Sequence, residues 1–306
     1  MITIIGAGKV GSDAAFDILR YRISDVTLID VMADVARGEA MDMMQAAPAI
    51  EFDGKITGTG DFSAMAGSEL VIVTAGQGRK PGMTRTDLLN VNAKTVQGIV
   101  AQVAKYAPDA KLMMVTNPVD ALTYVAYKTT NFPRNRVFGM GNILDAIRFR
   151  TYLAAQCGVS REDTHALVIG EHGETMVPLV EYSSISGIPV TDLLTQEQID
   201  TAVCQTVTSG QEVIQLKGST TFAPSTVIAV MADAILRGRN RILSTSTPLE
   251  GEYGLSGLSI GVPVVLGKNG IEKIVELDLS AETKERLNLS AQAIKNALSA
   301  LTTVSY

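Results

Sequence analysis

The sequence predicts an α/β fold, a doubly wound parallel sheet over its first half followed by an α+β second half. Two observations carry this. From residue 2 to about residue 140, short β-rich runs alternate with longer stretches of helical period, the pattern of βαβ units. After residue 141 the rhythm changes, and helix-like stretches are interspersed with β-rich ones. At 306 residues the chain exceeds the usual single-domain length, so the change divides it into domains at 1–142 and 143–306.

Six strands are expected in the first half: ITII (2–5), DVTLID (25–30), KITGT (55–59), LVIVTA (70–75), KLMMVT (111–116) and RVFGM (136–140). Helical spacing occupies 9–22, 33–46, 87–106 and 119–130, and right-handed crossovers would lay those helices on both faces. Ligands then belong at the carboxyl ends of the strands. In the second half, helices are expected at 143–157, 195–216, 223–239 and 281–301, with β-rich segments at 165–169 and 251–277. Within the last segment, Lys268, Asn269 and Gly270 separate two β-rich runs and favour a hairpin. There is no internal repeat and no Pro/Gly/Ser-rich linker, so the halves should pack around a shared cleft.

Composition narrows the function. Apolar residues make up 46% and charged residues 19%, so the chain is too hydrophobic to stay disordered. Lys plus Arg is 26 against 32 Asp plus Glu, a net charge of −6 that offers no basic field to nucleic acid or an anionic membrane. The expected partner is a small molecule. Cys157 and Cys204 are the only cysteines and have no metal-ligand spacing, so neither structural zinc nor an oxidising compartment is expected. No basic leader and no long apolar run occur, which reads as cytoplasmic.

Five motifs bear chemistry. GAGKVG follows the first strand and opens a helix, with Gly6 for the tight turn, Gly8 for backbone approach to a pyrophosphate and Gly11 for close helix–strand packing. Asp30 ends the second strand 19 residues beyond Gly11, where a carboxylate can accept from a ribose diol and repel a 2′-phosphate. Together they spell a Rossmann-type site preferring NAD to NADP; a plain glycine turn with an unrelated Asp is the bland alternative. The segment GQGRKPGMTR, 76–85, follows the fourth strand with Arg79, Lys80 and Arg85. It is either a solvated basic loop or a mobile segment that closes on an anion, for which Arg supplies a carboxylate-matching fork.

In TNPVD, Asn117 is either a turn residue or a donor to a substrate oxygen. In NILDAIRFR, Asp145 and Arg148 lie three apart and share a helix face, as a surface ion pair or as part of a site. GEHGE sets His172 between flexible glycines. Because His165 is the only other histidine and precedes an apolar strand as a structural residue, His172 is the candidate acid or base, with Asp145 to orient it.

In order and spacing, GAGKVG, Asp30, RKPGMTR, TNPVD, LDAIR and GEHG resemble the lactate and malate dehydrogenase family over nearly the whole chain. The chain is most similar to the lactate-dehydrogenase-like malate dehydrogenases of bacteria and archaea, because Arg79 stands where the lactate enzymes have Gln. The resemblance implies that His172 exchanges the hydroxyl proton, Asp145 orients its ring, Arg148 holds the C1 carboxylate, Arg85 polarises the carbonyl and Arg79 pairs with a distal carboxylate. It implies that Asn117 contacts substrate and nicotinamide side, and that Gly6, Ala7, Gly8, Lys9, Val10, Gly11, Asp30, Asn92, Val115 and Thr116 bind NAD. It also implies a homodimer or homotetramer. Thr220 departs from the malate pattern and looks like a lactate enzyme's threonine.

Charge arithmetic favours a dicarboxylate. Arg79, Arg85 and Arg148 match two carboxylates and a carbonyl, whereas pyruvate would strand Arg79 in a closed site at about 2 to 5 kcal/mol. The alternatives are a lactate or relaxed 2-hydroxy-acid dehydrogenase and, in a different class, a non-catalytic NAD-binding sensor. A sensor needs the glycines and Asp30 but no proton relay, and the relay residues are present.

Overall fold

The computed structural model describes residues 1–78 and 83–302. All six expected strands form: β1 (Ile2–Ile5), β2 (Val26–Ile29), β3 (Ile56–Thr59), β4 (Leu70–Val73), β5 (Lys111–Met114) and β6 (Val137–Gly139). They pair in parallel in the order β3-β2-β1-β4-β5-β6. β1, β2 and β4 are buried along their whole length, which is why they read as near-continuous apolar and β-branched runs, interrupted only by the buried Thr3 and Thr27, rather than as alternating patterns. The helices between them are α1 (Lys9–Arg20), α2 (Ala33–Ala46), α3 (Arg85–Tyr106) and α4 (Val119–Thr130). β1 matches its run, and the other five strands are one or two residues shorter than theirs; β4 and β5 lose both residues at the carboxyl end, where the chain turns into the loops above the sheet.

α3 begins two residues before its expected start. Thr84 caps it by accepting from the Asp87 amide, while the Asp87 side chain accepts from the Thr84 amide. This reciprocal cap puts Arg85 at the first helical position rather than in a loop as expected. The Thr-x-x-Asp spacing is itself the sequence signal for this cap.

The second half contains α5 (Asn142–Cys157), β7 (Thr164–Ile169), β8 (Val177–Ile185), β9 (Ile188–Pro189), α6 (Val190–Leu193), α7 (Gln196–Lys217), α8 (Phe222–Leu236), β10 (Arg241–Glu250), β11 (Ser256–Gly267), β12 (Gly270–Ile274) and α9 (Ala281–Ser299). β7, β8 and β9 form a small antiparallel sheet. β10, β11 and β12 instead extend the parallel sheet antiparallel at its β6 edge, giving nine strands in one sheet that continues past residue 142. The expected hairpin is present, with Lys268 and Asn269 as its two-residue loop and Gly270 at φ +92°.

β8 and β10 escaped the sequence reading. RILSTSTPLE is polar and carries Pro248, yet Ser244, Thr245, Ser246 and Thr247 are buried as β10 runs between β11 and β6. Small hydroxyl side chains fit there because the strands come close. A Cβ on Gly139 of β6 would stand only 3.0 Å from that of Ser246. One core surrounds the large sheet, and a second, built from α5, β7, β8 and α7, includes Phe149, Leu153, Val168 and Ile199.

Candidate active site

A cleft of about 1100 Å³ runs over the carboxyl ends of β1, β2 and β4. Gly6, Gly8, Lys9, Val10, Gly11 and Asp30 line it, with Thr74, Gln77, Lys94 and Ser219 farther along. The three glycines do three different things. Gly6 sits at φ +111°, where a side chain would be strained and its Cβ would fall 2.6 Å from Thr74 Oγ1. A Cβ on Gly11 would collide with the Gly6 carbonyl oxygen, so glycine there lets α1 pack on the loop. A Cβ on Gly8 would meet nothing within 4 Å, so this backbone faces open space.

Gly8 is also the N-cap of α1 and makes no side-chain cap, which leaves the first amides of the helix available to an anion. Asp30 holds the loop: the Ala7 amide donates to Oδ2 at 2.8 Å and the Met32 amide to Oδ1 at 2.9 Å. Each oxygen keeps a second lone pair for a diol. A dinucleotide therefore fits, with open backbone and helix amides for the pyrophosphate and a carboxylate for the ribose.

Asn92, Val115 and Thr116 lie beneath the cleft, only 1%, 9% and 5% exposed. Asn92 works as a bracket. Its Oδ1 accepts from the Gln77 amide at 2.8 Å, and its Nδ2 donates to Gln77 O at 3.1 Å and to Asn117 O at 2.8 Å. Thr116 Oγ1 donates to Ala75 O at 2.7 Å. These residues tie the floor of the cleft to Asn117.

Asn117 lies before a cis Pro118 and lines a second, smaller cavity of about 300 Å³ with His172, Glu171, Leu88 and Leu89. His172 follows β7 in the connection to β8. Its Nδ1 is 2.7 Å from Asp145 Oδ2, while Arg148 Nη1 donates to Asp145 Oδ1 at 3.1 Å. Asp145 is fully buried and Arg148 is 16% exposed, so this is no surface ion pair. Gly141 makes room for the His172 ring, since a Cβ there would come within 3.0 Å of the His172 Cβ. Gly210 of α7 likewise makes room for the Arg148 guanidinium, with Nη1 and Nη2 3.2 Å from where its Cβ would be.

Burial of the His172 ring disfavours its charge, but Asp145 and Asp120 together outweigh burial and the opposing Arg148, so its pKa stands above 6.5. Asp120, in the first turn of α4, escaped the reading of TNPVD. Its Oδ2 accepts from the His172 amide at 2.7 Å. An acid in that motif, three residues beyond Asn117, is the sequence signal for it.

Sequence proposals fall in three groups. His172, Asp145, Arg148 and Asn117 come together, as do the glycine loop and Asp30. Arg79 lies outside the described residues, and of Arg85 only its place at the start of α3 is described. Thr220 is half-buried between α7 and α8, and His165 is exposed on β7.

Residues 1–139 match the family described as lactate/malate dehydrogenase, NAD binding domain, and residues 143–304 match the corresponding alpha/beta C-terminal domain. The malate dehydrogenase of Roseiflexus sp. (strain RS-1) is 45% identical over 302 residues, 98% of each chain. Among solved structures, malate dehydrogenase from Cryptosporidium parvum superposes with a TM-score of 0.96 at 38% identity, covering 99% of both chains. The lactate dehydrogenase of the same organism, complexed with lactic acid and NAD, gives 0.95 at 34% identity, covering 99% of this chain and 98% of that one.

Proposed function

This chain belongs to the lactate/malate dehydrogenase family, and from that premise we propose that it is an NAD-dependent malate dehydrogenase, interconverting (S)-malate and oxaloacetate. The observation that carries the chemistry is the buried His172–Asp145–Arg148 constellation beside a cavity of substrate size. Curated relatives at 41 to 45% identity bear the name malate dehydrogenase, which supports the substrate.

NAD, when bound, takes up or delivers the hydride. The chain's own residues do the rest. His172 Nε2 accepts the hydroxyl proton as malate is oxidised and returns it as oxaloacetate is reduced. Asp145 fixes the tautomer that leaves Nε2 free and stabilises the imidazolium. The raised pKa of His172 favours the protonated form that oxaloacetate reduction requires.

Arg148 gives one Nη1 bond to Asp145, which orients its fork while leaving other N–H groups for the C1 carboxylate. Asn117 holds a substrate oxygen. Arg85 polarises the carbonyl and Arg79 reads the distal carboxylate. We assign the cofactor domain to 1–142 and the substrate domain to 143–306, and the working protein to a cytoplasmic homodimer or homotetramer. Among the described residues no helix is long and apolar enough to cross a membrane.

The test is to compare kcat/KM for oxaloacetate and pyruvate in the parent and in Arg79→Gln at saturating NADH and fixed salt. Oxaloacetate efficiency should fall by tenfold or more and pyruvate efficiency should rise, because the pocket loses a charge that only a dicarboxylate pairs. Unchanged oxaloacetate efficiency would remove Arg79 from substrate recognition.

A further inference from the structure

The His172–Asp145 pair does not account for every charge around the imidazole. Asp120 is 3% exposed on α4, and its Oδ2 accepts from the His172 main-chain amide at 2.7 Å. Its other oxygen is buried with no hydrogen bond of full geometry, and the Ser246 hydroxyl of β10 stands beside it, close enough to favour its charge. A structural acceptor for one amide needs no negative charge, since the oxygen of a neutral amide side chain does the same work. A buried carboxylate is the more expensive solution, and it sits under a proton-transfer group.

We propose that Asp120 is a second positioning carboxylate for His172: its Oδ2 fixes the backbone that carries the ring, and its negative charge, buried beside the imidazole, favours the imidazolium. Asp145 orients and charges the ring from the Nδ1 side, while Asp120 acts from the backbone side and touches neither substrate nor cofactor.

The electrostatics of both groups agree with this placement. Burial pushes Asp120 up to about 6, held down in part by Ser246, the His172 amide and the His172 charge, while Glu171 pushes it further up. Reciprocally, the Asp120 charge raises the His172 pKa. The groups facing this pair are Glu171 on the loop after β7, Asp145 and Arg148 on α5, and the uncharged Ser246 on β10. Above about pH 6 Asp120 is ionised and supports the imidazolium; below it the support fades.

The inference rests on His172 being the proton-transfer group, so its test is read without turnover. The chain has two histidines, and His165 is exposed on β7, so His165→Asn leaves one imidazole resonance to titrate by NMR. On that background Asp120→Asn, which still offers an oxygen to the His172 amide, should lower the His172 pKa by about one unit. An unchanged pKa in a folded variant overturns the proposal. Should Asp120→Asn not fold, the parent titration decides: a second inflection of the His172 resonance near pH 6 supports the coupling, and a single inflection overturns it. Malate turnover, measured separately, bears on the proposed function alone.

Discussion

In the cofactor cleft the groups that face a ligand are main-chain amides on one short stretch, Gly6 to Gly11, held down by a single carboxylate. In the smaller pocket it is the His172 ring, from beyond β7, backed by ionisable side chains gathered and buried around it, Asp120 from α4 and Asp145 and Arg148 from α5. The Asn92 bracket joins the two. The difference predicts what each region tolerates. The cleft is sensitive to shape, because an added Cβ intrudes on backbone. The pocket is sensitive to charge, because each buried ion there depends on its partners.

The comparison can be broken most directly at His172. Replacing His172 by Asn should reduce turnover by about two to four orders of magnitude while NADH binding, followed by fluorescence titration, stays near the parent value. Joint loss of both would show that the regions are not separable.

Asp145→Asn is the next largest effect and is read in stability. His172 has a folded pKa above 6.5, so the stabilisation from its protonated pairing is complete below pH 6.5 and is lost as pH rises through the folded value. The variant should lose about 3 kcal/mol where the pair is charged, as Arg148 and the imidazolium are left buried without their partner. Its stability should then depend less on pH above 6.5 than the parent's, by denaturant melts at several pH values.

Within the cleft, Gly11→Ala should destabilise by about 1 to 3 kcal/mol, since the new methyl meets the Gly6 carbonyl. Gly8→Ala should leave thermal stability within about 0.5 kcal/mol and weaken NADH instead, because its methyl points into the open cleft. If both variants lost stability equally, Gly8 would not be facing ligand space.

The smallest effect is expected at Asp30. The parent should use NADH far better than NADPH, and Asp30→Asn should narrow that preference by about tenfold, since the neutral amide no longer repels a 2′-phosphate. Equal efficiency with both cofactors in the parent would remove Asp30 from that role.

By itself the sequence determined the six parallel strands, the glycine loop and Asp30, and the pairing of Asp145 with Arg148. All are short-range: an apolar run buried on both faces, a glycine pattern within one turn, and an (i, i+3) spacing depend on neighbours along the chain. Overall shape does not separate the substrates, since the malate and lactate enzymes of one organism superpose on this chain with TM-scores of 0.96 and 0.95. That choice rests on side chains. Tertiary structure alone decided that polar β10 is an inner strand, that Asn92 is a bracket under the cleft, and that Asp120 lies against His172. Each depends on residues far apart in the chain: a strand arriving 107 positions after its partner (Gly139 to Ser246), or an amide 52 positions from the carboxylate that accepts it. Desolvation and partnering, which set the energy of a buried polar group, exist only once those distant segments have met.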